Sequence, residues 1–410
     1  MVSPKLTRLP VITALSAMVL IAGCSWFGGG GDPNGPGETT PVPTPAQTSP
    51  GVTGDSITFG QSVDFGEIGT NLQIGIEAAF HEVNTGGGVN GRQFRLITLD
   101  DDYDPAKAIR NTERLINDDQ VFALLASAGT PTGRAVLPIT TEAGVPYVAP
   151  FTGAEYFRED AARNVVNLRA SYSQEAEALV EFLVGRRGIT RIGVMYQDDA
   201  YGRSGYSGVI EALRSRGMQP VAVGLYTANT NAIKTALLDL SPAHPQAVIL
   251  MGTFEPVAAL IEWARRTGLN TQFYTVSVAG NSRLPELLGS RGVGVYATQV
   301  LPLVTNDPAP VAASYENALR SYQADAEVNF YSFEGYLAGR LAIAGVSACG
   351  ETVDRDCFLN ALQNSSLLSI DGFLLRFGGN DNQGSEAVYL TVIGTDGLYH
   401  PVETLVESVS

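Results

Sequence analysis

The residues best suited to hold a small ligand stand in two short, hydroxyl-rich turns. They are Ser127-Ala128-Gly129-Thr130-Pro131-Thr132-Gly133 and Pro150-Phe151-Thr152-Gly153-Ala154. Small residues let a backbone approach a ligand, and hydroxyls with N–H groups at a helix N-terminus suit a carboxylate. Ser127, Gly129, Thr130, Phe151, Thr152 and Gly153 are therefore ligand-binding candidates. Either turn alone reads equally well as a capped turn; two of them adjacent in one sheet favour binding. The first turn has no lysine, which excludes a Walker-type nucleotide loop. Tyr201 in QDDAYGRSG and Phe254 in MGTFEP could add an aromatic lid over that polar cradle. Ordinary core packing is the competing role for both, as it is for Tyr172 in RASYSQE.

Catalytic chemistry finds little support. The three histidines, His81, His244 and His400, lack metal-ligand spacing. Asp100-Asp101-Asp102 sits between a strand and a helix capped by Asp104-Pro105, so it reads as a solvated turn. No Gly-x-Ser-x-Gly nucleophile elbow occurs. We expect no enzyme, no cofactor and no metal.

One repeated pattern must position these turns. Strands are expected at 57–63, 93–99, 121–127 and 145–149, with helices at about 70–84, 105–118 and 131–143 between them. The same order recurs with strands at 190–196, 219–226, 246–251 and 271–276 and helices at about 204–216, 230–240 and 256–267. Alternating strands and helices imply parallel sheets covered on both faces, hence α/β architecture with two Rossmann-like lobes. Ligands bind beyond the carboxyl ends of such strands, where both turns fall. A strand at 294–300, helices at about 309–323, 329–347 and 354–363, and strands at 373–377 and 386–394 complete the chain. We expect lobe one to comprise 56–171 plus 301–377, and lobe two 172–300 plus 378–410.

The N-terminus carries an address. Lys5 and Arg8 precede an apolar stretch ending at Gly23, too short for the roughly 20 residues of a membrane span. Leu-Ile-Ala-Gly before Cys24 resembles the lipobox of bacterial lipoproteins, which implies cleavage of residues 1–23 and lipid, palmitate included, on Cys24. Residues 24–55 then read as a disordered Gly/Pro/Thr tether. Its root-mean-square reach is roughly 30 Å. Cys349 and Cys357 remain as a candidate disulfide, as an exported chain permits; two free thiols are the alternative. Net charge is −16, and more negative without Lys5 and Arg8, so nucleic acid is an unfit partner.

From about 56 to 405 the chain resembles the type I periplasmic solute-binding proteins of ABC transporters, in the branched-chain amino-acid-binding group. The resemblance rests on NTGGGVNGR (84–92), Asp101 through Pro105, the GTPTG and PFTGAE turns, and YQDDAYGRSGYSG. It implies a three-crossing hinge, a ligand in the interlobe cleft, closure on binding and delivery to an ABC permease. It implies a bacterial cell-envelope location, lipid-anchored on the extracytoplasmic face or in the periplasm. By position, Ser127, Thr130, Phe151, Thr152 and Gly153 match carboxylate- and amine-side residues, and Tyr201 and Phe254 the lobe-two aromatics. Ser277 stands where amino-acid binders place an acid against the ligand ammonium. An ammonium buried there without a carboxylate would be costly. The resemblance therefore leaves open an aliphatic or aromatic acid or an amide beside an amino acid. Tyr103 and Ala126 occupy the places of an early disulfide in the family. A tethered sensor of the same fold, signalling to a membrane receptor, is the alternative function.

Overall fold

The computed structural model describes residues 49–304, 309–378 and 381–405. The expected signal segment, Cys24 and nearly all of the expected tether lie outside the described residues. The tether ends sooner than residue 55, because Val52 is fully buried and pairs with Ile57. The Gln93 N–H donates to the Asp55 carbonyl, so this stretch is already part of the first sheet.

Lobe one is built on β1 (Ser56–Val63), β2 (Gln93–Asp100), β3 (Ala123–Leu125), β4 (Tyr147–Val148) and β5 (Val165–Val166), all parallel, in the order β2-β1-β3-β4-β5. Helices α1 (Glu67–Thr85), α2 (Pro105–Asn117) and α3 (Thr130–Glu142) connect them. The central strands are buried almost throughout, as both faces of a parallel sheet must be. Asp104 caps α2 by accepting from the Lys107 N–H at 2.8 Å, with Pro105 at the first helical position.

Lobe two begins with α4 (Tyr172–Val180), which the strand-helix pattern did not reveal. Its start is written in the sequence nevertheless: Ser171 and Gln174 form a reciprocal capping box. The helix continues as a π-turn over Glu181–Arg186. Then follow β6 (Ile192–Gln197), α5 (Ala200–Arg214), β7 (Ala222–Tyr226), α6 (Lys234–Leu240), β8 (Ala247–Met251), α7 (Phe254–Arg266), β9 (Gln272–Thr275), a short α8 (Arg283–Leu288) and β10 (Tyr296–Gln299).

The chain re-enters lobe one as α9 (Pro310–Tyr322), α10 (Phe330–Ala348) and α11 (Arg355–Gln363). A two-stranded antiparallel sheet follows, β11 (Leu368–Ile370) with β12 (Phe373–Leu375). It ends in lobe two with β13 (Val388–Ile393) and β14 (Tyr399–Leu405), giving the order β14-β13-β10-β9-β8-β6-β7. The last two strands are antiparallel, so this sheet is parallel only in its core.

The first and third crossings lie side by side. Asn167 pairs in parallel with Gln383, and its N–H donates to the Asn382 carbonyl at 2.7 Å. Arg158 staples them, donating to the Ala154 and Arg169 carbonyls and to the Gln383 side chain. Cys349 and Cys357 are joined as a disulfide across 5.9 Å between their Cα atoms. Among the described residues, no helix is long and apolar enough to cross a membrane.

Candidate functional site

Both hydroxyl turns leave the carboxyl ends of neighbouring strands, β3 and β4, and are tied together. Ala128 bridges to Phe151, and the Thr130 and Thr152 hydroxyls share a hydrogen bond of 2.8 Å. Tyr156 donates to the Thr130 carbonyl at 2.6 Å, and the Ala154 N–H donates to the Thr152 hydroxyl. Gly129 has φ +109°, a region open to glycine, and a Cβ there would strike Thr132 and the Tyr103 ring. Gly153 lets the turn lie against Tyr172; a Cβ would come within 2.6 Å of that ring.

Ser127 is set further back. Its hydroxyl accepts the Ser62 N–H at 3.0 Å, and the Ser62 hydroxyl donates to Asp101 at 2.8 Å. Burial pushes the Asp101 carboxyl up to about 6, against the downward pull of Ser62 and the Tyr103 N–H. Ser127 therefore supports the turn from behind, with its acceptor already occupied.

Lobe two brings Tyr201 to the same seam. It lies in the first turn of α5, donates to the Gly252 carbonyl at 3.1 Å and meets Tyr172 edge-on at 5.3 Å. Phe254, at the start of α7, is half-buried and packs on the lobe-two core. Among the described residues, Tyr201 makes a ring contact with Tyr172, whereas Phe254 makes no ring contact with the other candidates.

Ser277, just beyond β9, enters a buried charged cluster. The Ser277 N–H and hydroxyl donate to Glu175 at 2.8 and 2.9 Å, and Thr298 donates to the same carboxylate at 2.6 Å. Arg169 donates to the Ser277 hydroxyl, lies 3.4 Å from Glu175 and stands 3.6 Å from Glu334. Its guanidinium is stacked between Phe151, 4.8 Å away, and Tyr172, 6.0 Å away. The expectation of a place without a carboxylate at residue 277 is thus overturned. Packing delivers two, Glu175 from α4 and Glu334 from α10.

The lobes meet across the cleft at several points. Tyr103 donates to Asp199 at 2.9 Å, Tyr331 to the Val278 carbonyl at 2.6 Å, and Ser282 to Glu327 at 3.1 Å. Arg283 pairs with Glu67 at 3.1 Å. Asp102 and Tyr103 both have left-handed backbones, at φ 50° and 57°. Asp100 and Asp101 side chains hold them by accepting their N–H groups. The acidic run is therefore a built turn that aims Tyr103 across the cleft. Among the described residues, no group of His, Cys, Asp and Glu could hold a metal ion.

Sequence reasoning missed Arg169, Glu175, Glu334 and Tyr103 as site residues. Arg169 and Glu334 carried a usable signal: each is a lone charge inside an apolar run, VVNLRAS and FYSFEGYLAG.

Two α/β lobes joined by three crossings define an architecture that known proteins share. A family described as periplasmic binding protein matches residues 60–397. The chain belongs to the periplasmic binding protein family. Its fold is the type I form of that family. A curated relative, the leucine-, isoleucine-, valine-, threonine- and alanine-binding protein of Pseudomonas aeruginosa, is 22% identical over 232 residues, covering 57% of this chain and 62% of the relative. The chain thus spans about six-tenths of that relative's length. A crystal structure of a possible leucine/isoleucine/valine-binding protein from Rhodopirellula baltica is 33% identical, with a TM-score of 0.80, covering 85% of this chain and 97% of that one. A substrate-binding periplasmic protein from Ralstonia solanacearum is 28% identical, with the same TM-score, covering 84% and 100%. These are binding proteins by description, not enzymes.

Proposed function

We propose that this chain is a membrane-tethered, extracytoplasmic solute-binding protein that captures a small carboxylate-bearing or amino-acid-like ligand between its lobes for ABC-type import. The observation that carries the reading is the seam. Thr130 and Thr152 on lobe one and Tyr201 on lobe two converge on it through Phe151, Gly153 and Tyr172. When the lobes part, the paired threonine hydroxyls and the N–H groups around Gly129 and Gly153 receive the carboxylate. Phe151 and Tyr201 then cover the ligand's apolar part. The Pseudomonas and Rhodopirellula relatives are described by the branched-chain amino acids, so these are the first ligands to try. Cys24 carries the lipid, and the segment after it gives the lobes reach toward a permease.

A thermal-shift screen of amino acids, aliphatic and aromatic acids, amides and sugars tests the ligand class. Ligand at about 100 times Kd should add about 2.7 kcal/mol of stability. A flat melting profile for every acid and amino acid would sink the proposal. Cys24→Ser should move the protein from the membrane to the soluble fraction; retention at the membrane would remove the anchor.

A further inference from the structure

We propose that the pole of lobe two at which its strands begin is a docking face for the phosphate headgroups of an anionic phospholipid bilayer. Such a contact goes beyond solute capture and does not depend on the anchor expected at Cys24.

Topology gathers the residues. β6, β8, β9 and β10 run parallel with their starts in register: Ile192 lies beside Ala247, Ala247 beside Gln272, and Tyr296 beside Tyr274. The helices between them must run the other way and end at this same pole. β13 is antiparallel to β10, so the turn after it arrives there too. The segments that meet there are 181–191, 211–221, 237–246, 262–272, 288–296 and 393–400. Together they hold eight arginines against five acids, in a chain whose net charge is −16. A helix C-terminus favours a cation. That preference alone does not explain the bias, because α1, α3 and α10 of lobe one end with no basic residue in the last turn.

The charge is only partly cancelled. Arg291 and Arg266 share Glu262, and Arg216 holds Glu177 and Glu181. Arg187 instead donates to the Tyr296 hydroxyl and the Gln272 side chain, Arg191 to the Ala243 carbonyl, and Arg265 to the Val293 carbonyl. These neutral acceptors fix the guanidinium groups in place and leave their charge intact. Partial burial, and then the neighbouring Arg291 charge, push Arg265 below the usual arginine range.

Apolar side chains stand among the arginines. Trp263 is 52% exposed with Arg266 over its ring at 5.9 Å, Val293 is 38% exposed and Leu398 49%. The Arg265–Val293 bond and the Gly294 N–H donating to the Ile393 carbonyl tie these stretches together. Tryptophan suits the boundary between headgroups and acyl chains, and guanidinium groups beside it meet phosphates. An anionic bilayer attracts each arginine held near it and repels the acidic remainder of the chain, so its field selects this pole. Tyr201 and Ser277 follow the opposite ends of the same set of strands. A docked lobe two therefore holds its side of the cleft away from the bilayer, toward the solution.

The chain has two tryptophans, Trp26 and Trp263, so Trp26→Phe in the full chain makes Trp263 the sole reporter. The protein is mixed with vesicles of phosphatidylcholine, or of phosphatidylcholine with phosphatidylglycerol, both containing brominated phosphatidylcholine as quencher. Quenching of Trp263 should be at least about threefold stronger with the anionic vesicles and should collapse in about 1 M salt. Arg214→Glu combined with Arg266→Glu should abolish the difference without lowering the melting temperature. Equal quenching by both vesicles, quenching by neither, or a difference that survives the double reversal would each overturn the proposal. A lipid-anchored chain co-sediments with neutral vesicles as well. Failure to do so would bring down the anchor alone, and Trp263 would still report on the pole. The lipid and salt comparison decides even if the double variant does not fold.

Discussion

Two polar regions of equal depth flank the cleft, and they are built on opposite principles. The lobe-one cradle is neutral: Thr130 meets Thr152, and its hydroxyls and N–H groups are satisfied within two adjacent turns. The cluster around Arg169 is charged and drawn from separate segments, with Glu175 and Glu334 both beside its guanidinium. A neutral cradle can release its internal hydrogen bonds to a ligand at small cost, because each is exchanged for another. Charges taken out of water must stay paired, so the second region fixes geometry.

The sharpest way to break this contrast is Arg169→Met. It strands Glu175 and Glu334 without their cation, and we expect a loss of about 3–5 kcal/mol in urea unfolding. A loss under about 1 kcal/mol would show that the cluster is not held by charge.

The next test probes the acid behind the cradle. The folded pKa of Asp101, about 6, lies above its ordinary value of 3.8. The folded state therefore keeps a proton that the unfolded chain releases, and this contribution is present below about pH 4 and lost as pH rises through 6. Asp101→Asn should gain stability relative to wild type across that window, by roughly 2–3 kcal/mol between pH 4 and 7. A difference that does not change with pH would refute this.

Thr152→Ala should weaken a carboxylate ligand by about 1–3 kcal/mol in calorimetry while shifting the melting temperature little. An unchanged affinity would take the cradle out of the site. The smallest effect is expected for Tyr103→Phe, which removes one hydrogen bond to Asp199 across the cleft. About 1 kcal/mol of bias toward the open form should appear as a larger radius of gyration in solution scattering without ligand. An identical profile would deny Tyr103 a part in closure.

Much of the architecture was legible because it is local. Period-two and period-3.6 patterns mark eleven of the strands and most of the helices, and Asp104-Pro105 announces the start of α2. What escaped was β5 with two residues, β11 with three, the closing strand β14, and α4, which interrupts the expected alternation. The candidate turns were readable for the same local reason, since small and hydroxyl residues declare themselves one by one. A helix-start aromatic such as Phe254 can face its own core or the cleft, and only packing chooses; here it packs against the lobe-two core.

By itself the sequence determined that two βαβ units exist, that hydroxyl turns end two neighbouring strands, and which two cysteines could pair. These follow from residue types and spacings within a few turns of chain. Only the tertiary structure decided what Ser277 means. Its partner Glu175 is 102 residues away, and Arg169 reaches Ser277 across 108. The charge at a buried site is a sum over whichever elements packing brings together, and an electrostatic interaction depends on distance in space rather than along the chain. A serine read alone looked like a missing carboxylate; folded, it binds one and lies at the cavity faced by another.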